Sequence, residues 1–273
     1  HPWPDTDVLL VTLRRDHVGD VRYRLAAWAE GRKSRKVIYF NNVGGIIPEL
    51  TEYLPTGQVG FAFPGLAGRR DRNGVVHYDE TPEQPMTLGR EQPGTDLLAR
   101  WFKDAGFKVS LVPDIRGWLT THLVVVGLTL FAIAAAGSAL ALSSNEQAIR
   151  GLIQAQRETL RGLERQGFTL SPRMVRLLLA RFPGAAARRY YQSLFRKTTG
   201  QKLAEYLADS GDEVETLGQD IQRLLGDHLP TSARRLLCRA TADVDLLDAA
   251  LGSAGGRPTD VLQGTAAHPV GKH

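Results

Sequence analysis

The sequence contains almost no cysteine, and this shortage narrows the kinds of protein that it can encode. Cys238 is the only cysteine in 273 residues, which excludes an internal disulfide bond and any zinc site built from several thiolates. A reducing, cytoplasmic compartment is therefore the simplest expectation. His17, His77 and His228 do not have the spacing of metal ligands, so we predict no metal site.

Positive charge is present but is not concentrated in one segment. The formal net charge is +5, yet the arginines are scattered in pairs such as Arg14-Arg15 and Arg188-Arg189. No zinc-finger spacing and no RNA-recognition motif accompanies them. We therefore predict a mildly basic, solvated surface and no nucleic-acid partner. The apolar content of 42% and the charged content of 23% are typical of a globular protein.

Charged side chains are absent from a long stretch in the middle of the chain. Between Arg116 and Glu146 there is no Asp, Glu, Lys or Arg, and residues 123–142 alone are about long enough to cross a bilayer. The stretch is rich in Ala and Gly rather than Leu, and amphipathic helices surround it in the sequence. These features favour a helix buried in an all-helical domain and predict no membrane partner. A membrane anchor at 123–142 stays open as an alternative.

A Gly-x-Gly-x-x-Gly loop, which binds the phosphates of dinucleotides, is also absent. The first part of the chain nevertheless has the order strand, helix, strand, with apolar runs at 7–13 and 36–40 and helical spacing at 18–29. This order predicts a parallel βαβ unit, and we expect the chain to begin partway through such a fold. Ligands of open α/β sheets bind at the carboxyl ends of the strands, where Asn41 and Asn42 follow the second run.

Further signals divide the chain into a part with strands and a part with helices only. Before residue 114 the sequence predicts a helix at 46–54, a helix at 95–105, and strands at 58–63, 75–78, 86–89 and 108–112. Asn73-Gly74 predicts a hairpin turn. The apolar stretch is followed by predicted helices at 146–166, 171–182, 185–197, 201–225 with a break at Ser210-Gly211, and 233–251. We therefore expect a partial α/β domain at 1–114, an all-α domain at 115–251 and a disordered tail at 252–273.

Five short motifs occur in the order and approximate spacing of one enzyme family. They are Asp7 to Arg14, Phe40 to Gly44, Met86 to Gly89, Ala105 to Phe107 and Asp114 to Trp118. On these motifs the chain resembles the 2-dehydropantoate 2-reductases (ketopantoate reductases) over most of residues 5–225. The resemblance implies a Rossmann-type NADP-binding domain, here incomplete because the Gly-rich loop is absent. It also implies a second, helical domain like the C-terminal domain of 6-phosphogluconate dehydrogenase.

The resemblance implies a chemistry as well as a fold. Members of this family use NADPH to reduce 2-dehydropantoate, a 2-keto acid, to pantoate in pantothenate biosynthesis. By resemblance we expect an NADP-dependent oxidoreductase that binds NADPH and a small-molecule 2-keto acid in a cleft between the two domains. The helical domain of the family often mediates dimerisation, so the resemblance allows a homodimer.

Several residues correspond to positions of the family's site. Arg14 stands where the family has a lysine that faces the cofactor, and Asn41 matches the asparagine that lies by the nicotinamide and the substrate. The resemblance thus assigns cofactor binding to Arg14 and Asn41. His122 stands where the family has a catalytic lysine, so the expected catalytic residues are His122 and Asn41. The chain departs from the family at Asn42, where the family has glycine.

The replacement of lysine by histidine bears on the expected acid. Hydride reduction of a ketone leaves negative charge on the oxygen, and a positioned acid must supply a proton or a hydrogen bond there. The imidazolium of His122 can do this with an unperturbed pKa of ~6.5. Histidine is shorter than lysine, however, and we expect it to be largely neutral at pH 7 unless an anion lies nearby. Polar asparagines of the family are replaced by Val126 and Leu130. The nearest candidates for the family's catalytic glutamate are Glu213 and Glu215.

Three hypotheses about function follow from the sequence. The first is an NADPH-dependent reductase of ketopantoate or a related 2-keto acid. The second is a catalytically inactive member of the family that acts as a cofactor- or ligand-binding protein. The third is a membrane-anchored protein that uses residues 123–142 as its anchor.

Overall fold

The chain begins with strands and short helices and continues with helices alone. A computed structural model describes residues 6–30, 32–70, 73–80, 84–172, 175 and 183–238. Most of the predicted helix at 171–182, the end of the predicted helix at 233–251 and the predicted tail at 252–273 lie outside the described residues. The strands are β1 (Val8–Val11), β2 (Lys36–Phe40), β3 (Val59–Phe63), β4 (Leu66–Arg70), β5 (Val76–Glu80), β6 (Met86–Gly89) and β7 (Val109–Val112).

Five of these strands form one mixed sheet. Their order is β1-β2-β3-β6-β7. β1 pairs parallel with β2, and β2 pairs parallel with β3, whereas β6 pairs antiparallel with β3. The predicted parallel unit is therefore confirmed, with helix α1 (Val18–Ala29) between β1 and β2. Because β1, β2 and β3 are parallel, their carboxyl ends lie at the same edge of the sheet.

A second, two-stranded sheet corrects the prediction for residues 68–80. β4 pairs antiparallel with β5 over five residue pairs, although the sequence predicted a loop from Gly68 and a strand only at 75–78. Gly and Arg have low strand propensity, so the composition of β4 conceals a strand that the pairing with β5 imposes. The hairpin predicted at Asn73-Gly74 is confirmed, and Gly74 has a φ of +83° that favours glycine.

The helices after β7 form the larger of the apolar cores. Apart from α1, α2 (Ile47–Glu52) and α3 (Thr95–Asp104), which lie between strands, the described α-helices follow residue 114. The fold class, α/β followed by all-α, is confirmed. These later helices are α4 (Ile115–Ala136), α5 (Ala139–Ser144), α6 (Glu146–Arg165), α7 (Gly184–Arg196), α8 (Thr198–Asp209) and α9 (Gly211–Leu225); residues 231–238 are also helical.

The apolar stretch forms two helices rather than one. Asp114 is the N-cap of α4, and its carboxylate accepts a hydrogen bond from the backbone N–H of Gly117 at 2.9 Å. α4 ends at Gly137, which has a φ of +77°, and the chain continues as α5. The helix is long and apolar enough to span a membrane, but 67% of its most apolar window is buried inside the protein. Leu128 of α4 packs in one core with Leu152 of α6 and Leu217 of α9, as expected for a buried helix.

The burial of α4 predicts the effect of trimming one side chain. Leu128→Ala removes a side chain with 0% exposure and should lower the free energy of unfolding by about 2–5 kcal/mol. Leu140→Ala is the control because Leu140 is 67% exposed, and its effect should stay within ~0.5 kcal/mol. Chemical denaturation measures both values. A small effect of Leu128→Ala would contradict the buried position of α4.

Candidate active site

The carboxyl ends of β1 and β2 are joined by one side chain. The Nδ2 of Asn41, directly after β2, donates a hydrogen bond to the backbone oxygen of Leu13 at 2.8 Å. Leu13 follows β1 and precedes Arg14. The predicted site residues Asn41 and Arg14 therefore lie at neighbouring strand ends, at the edge where ligands of such sheets bind.

The loop after β2 is held between two helices of the all-α part. A Cβ atom on Gly44 would lie 2.4 Å from the backbone oxygen of Leu119 in α4. A Cβ atom on Gly45 would lie 2.4 Å from the Cβ of Asp220 in α9. Thr120 of α4 also donates a hydrogen bond to the backbone oxygen of Gly44 at 3.2 Å. Such close approach requires glycine at both positions, and the contacts fix the loop from both sides.

A buried ion pair connects the end of β1 with α9. Arg15 donates two hydrogen bonds to the carboxylate of Asp220, at 2.6 and 2.7 Å. The Asp220 side chain has 0% exposure and the Arg15 side chain has 8%. Arg223 donates to the same carboxylate at 2.8 Å, so charge and hydrogen-bond geometry are both satisfied. The two partners are 205 positions apart in the sequence.

Glu213, rather than Glu215, reaches this edge. Glu213 is buried, and its carboxylate accepts a hydrogen bond from the backbone N–H of Arg15 at 2.9 Å. Burial, together with the Glu213 carboxylate, raises the pKa of Tyr206. Glu215 faces solvent. Of the two glutamates that the sequence left open, Glu213 is the one beside the strand ends.

Arg14 is the cation at the rim of the site. Its guanidinium donates two hydrogen bonds to the carboxylate of Asp16, at 3.2 and 2.9 Å. The same guanidinium lies 3.8 Å from the carboxylate of Glu213. The Arg14 side chain is 39% exposed, so it remains accessible to a bound anion. Asp16 and Glu213 offset part of its charge.

His122 lies in a cluster of three aromatic rings. Its ring centroid is 4.9 Å from that of Trp118, with the planes stacked, and 4.2 Å from that of Phe63. Burial lowers the pKa of His122 to about 4, because the charged form loses its water. The imidazole is therefore neutral near pH 7, as the sequence predicts for a histidine without a neighbouring anion. Phe63 ends β3, so the cluster lies at the same edge of the sheet.

Two acceptor atoms in the loop after β2 have no hydrogen-bond donor in the part of the chain that the structure describes. The Oδ1 atoms of Asn41 and Asn42 are buried, and neither has a partner among the described residues. Buried polar atoms in native proteins are nearly always paired with protein groups, water or a ligand. A ligand that presents N–H or O–H donors would satisfy both atoms.

A groove lies elsewhere in the molecule. It has a volume of about 1810 Å³ and is lined by residues of α4, α6 and the segment 228–236, among them Glu158 and Arg235. No residue of the sheet lines it. We place the candidate site at the sheet edge instead, because the buried acceptors of Asn41 and Asn42 and the carboxyl ends of the parallel strands occur there.

Sequence reasoning missed the ion pair between Arg15 and Asp220. Arg15 looked like one member of a scattered surface pair, although it is buried. A signal was present in α9, where Glu213, Leu217 and Asp220 have the spacing of one helical face. Two carboxylates on a face that also carries buried leucine indicate a buried polar contact. Val126 and Leu130 stand where the family has polar asparagines. Val126 is half-buried, and Leu130 is fully buried in the helical core.

Comparison with known proteins gives a fold but no family assignment. No protein-family model matches the chain, and no curated protein matches it. Among solved structures, a D-mandelate dehydrogenase in complex with NADH has a TM-score of 0.68 at 11% identity, covering 88% of this chain and 80% of that one. A dimeric ketopantoate reductase from Staphylococcus aureus has a TM-score of 0.57 at 16% identity, covering 88% and 78%.

A third structure agrees with these two. A ketopantoate reductase from Ralstonia eutropha JMP134 has a TM-score of 0.57 at 17% identity, covering 89% of this chain and 77% of that one. The chain has the ketopantoate reductase fold. The TM-scores support the resemblance at the level of fold. Identities of 11–17% do not establish a shared activity.

The buried ion pair predicts that a substitution at Asp220 lowers the stability of the protein strongly. Asp220→Asn leaves the buried Arg15 without its counter-charge and should lower the free energy of unfolding by about 3–5 kcal/mol. Asp212→Asn, at an exposed position of the same helix, should change it by less than ~0.5 kcal/mol. The double change Arg15→Met with Asp220→Leu should recover most of the loss. Equal effects of Asp220→Asn and Asp212→Asn in denaturant titrations would contradict the pair.

The buried environment of His122 predicts that the stability of the protein depends on pH. The pKa is about 4 in the folded state and ~6.5 when unfolded, so the unfolded state binds more protons between these values. The contribution of neutral His122 to the free energy of unfolding is fully present above pH ~6.5. It is lost as the pH falls towards 4, by up to about 3 kcal/mol. His122→Phe keeps the ring cluster and should remove this component. An imidazole titration by NMR with a midpoint near 6.5 would refute the buried environment.

Proposed function

We propose that the protein is an NADPH-dependent reductase of a 2-keto acid, with its site at the carboxyl ends of β1, β2 and β3. The observation that carries this proposal is the pair of buried, unpaired carboxamide oxygens of Asn41 and Asn42 beside the accessible cation of Arg14. In sheets of this kind the carboxyl edge is the ligand-binding edge. The ketopantoate reductase fold supports the same assignment.

The residues fit one end of the cofactor. The carboxamide oxygens suit hydrogen-bond donors, and Arg14 suits an anionic group. The sequence has no Gly-x-Gly-x-x-Gly loop to hold a pyrophosphate, so the fit concerns the nicotinamide end alone. The nicotinamide cofactor, when bound, supplies the hydride that reduces the carbonyl carbon. We propose NADPH on the resemblance to ketopantoate reductases, and NADH is the comparator because the D-mandelate dehydrogenase structure contains it.

Arg14 and Asn41 would bind and orient the ligands. Arg14 is free to turn from Asp16 towards a carboxylate or phosphate, because its side chain is 39% exposed. Glu213, at 3.8 Å, limits how far the guanidinium can move. Asn41 is held by its hydrogen bond to the backbone oxygen of Leu13, so its Oδ1 keeps a fixed direction. Such preorganisation lowers the entropy that binding must remove.

His122 would act as a neutral hydrogen-bond donor. A neutral imidazole carries one N–H, which can stabilise the negative charge that develops on the substrate oxygen, and water supplies the proton that completes the product hydroxyl. This role is compatible with its lowered pKa, whereas proton donation by an imidazolium is not favoured at pH 7. Because the rings of Trp118 and Phe63 pack against it, the imidazole has little rotational freedom.

The walls of the site favour an apolar substituent on the substrate. The half-buried Val126 lies one helical turn beyond His122, on the same face of α4, and Phe63 and Trp118 add aromatic surface. Ketopantoate carries a hydroxyl group that these side chains do not match. We therefore propose a related 2-keto acid with an apolar side chain, with ketopantoate as the second candidate. A homodimer in the cytoplasm completes the proposal, since one neighbour in fold is described as dimeric.

A second function, ligand binding without catalysis, is favoured by one observation. The lysine expected from the resemblance is replaced by a histidine that burial keeps neutral. A site that binds cofactor and keto acid but lacks an effective acid would bind without turnover. The experiment below distinguishes the two functions.

The proposal predicts cofactor-dependent turnover. The full-length gene product, mixed with NADPH or NADH and a panel of 2-keto acids, should oxidise the cofactor. His122→Ala should lower kcat by about 10²-fold, because the developing charge loses its donor. His228→Ala is the control, since His228 is exposed and lines the groove away from the sheet edge. Saturable cofactor binding without turnover would favour the binding function, and absence of both would overturn the proposal.

A further inference from the structure

We propose that Asn42 is a second ligand-binding residue of this site, and that its side-chain oxygen accepts a hydrogen bond from an N–H or O–H group of the ligand. The inference rests on the proposed function and extends it to a position that the family resemblance leaves without a role, because the family has glycine there. The ligand must then present a neutral N–H or O–H donor to the Oδ1 of Asn42, next to the donor that bonds to the Oδ1 of Asn41.

The first observation is the burial of an acceptor without a donor. Asn42 is 9% exposed, and its Oδ1 is buried with no hydrogen-bond partner among the described residues. The Oδ1 of the adjacent Asn41, which is 7% exposed, is in the same condition. A buried carbonyl oxygen without a donor costs free energy. A water molecule or a ligand can supply donors to both of them.

The second observation is the rigidity of the loop that carries Asn42. Gly44 is pressed against the backbone of Leu119, and Gly45 is pressed against Asp220. Asn41 is bonded to the end of β1. Asn42 lies next to these contacts, so exposing its side chain to water would require the contacts at Gly44 and Gly45 to break. A shift of neighbouring side chains, with the loop in place, would bring a donor at the strand edge to this oxygen.

Two groups of the proposed ligands carry the required donor. The nicotinamide ring has a primary carboxamide with two N–H donors, and the reduced product, a 2-hydroxy acid, has a hydroxyl group. Both belong at the carboxyl edge of the sheet. A buried water molecule could also supply a donor, and the experiment must separate that outcome from ligand binding.

The test measures equilibrium binding, so it does not depend on turnover. Calorimetric titrations of the full-length gene product would use NADPH, its 3-acetylpyridine analogue, and a 2-hydroxy acid added to protein saturated with NADPH, a pair of reduced ligands that cannot react with each other. The 3-acetylpyridine analogue lacks the N–H donors of the carboxamide. The variants are Asn42→Leu, which keeps the size of the side chain, and Asn42→Gly, which removes the acceptor without steric demand. Asn73→Leu, in an exposed turn, is the control.

We expect both Asn42 variants to weaken binding of one ligand by about tenfold, with Asn73→Leu unchanged. If the partner is the carboxamide, the loss appears with NADPH but not with the 3-acetylpyridine analogue. If the partner is the product hydroxyl, the loss appears with the 2-hydroxy acid and not with NADPH. Unchanged affinities for all three ligands in both variants would show that Asn42 holds water alone and would overturn the inference.

The outcomes separate this inference from the proposed function. Turnover in the wild-type protein with unchanged affinities in the Asn42 variants would overturn only the role of Asn42. Binding losses in the variants without turnover in the wild type would uphold the role of Asn42 in a binding protein. Failure of the wild-type protein to bind any of the three ligands would overturn both.

Discussion

A buried ion pair between Arg15 and Asp220 holds the strand-containing part of the molecule against the helical part. Arg15 follows β1 directly, and Asp220 lies on α9, so the pair fixes a helix to a strand end. The same carboxylate side chain packs against Gly45 in the loop after β2. One residue of α9 therefore positions two strand ends, which is why the candidate site depends on an interaction outside it.

The cost of burying the two charges explains why the pair fixes the position of α9. Removing two charges from water is costly, and only complete hydrogen bonding offsets the cost. Asp220 accepts from Arg15 and Arg223, so few other arrangements of α9 would satisfy it. The close approach at Gly44 and Gly45 adds a steric constraint from α4 and α9. Charge pairing and sterics thus specify one position of the loop, and with it the direction of the Asn41 side chain.

Local patterns in the sequence were sufficient for the parallel unit and for Asn41 at its edge, because both depend on short apolar runs and their ends. They were insufficient for β4, where Arg and Gly conceal a strand that only pairing with β5 stabilises. Long-range contacts were also out of reach, since Arg15 and Asp220 are 205 positions apart. The further lowering of the pKa of His122 to about 4 comes from burial, and the packing of Phe63 against its ring could not be foreseen from the sequence. The choice between Glu213 and Glu215 likewise required knowledge of burial.

The central claim is that the edge formed by the ends of β1, β2 and β3 is a nicotinamide and 2-keto acid site. A crystal structure of the full-length gene product with NADPH and an unreactive 2-keto acid analogue tests it most directly. The account predicts the nicotinamide ring within hydrogen-bonding distance of Asn41 and the carboxylate of the analogue beside Arg14. Ligand bound in the groove along α6, or at any position away from the strand ends, would contradict it.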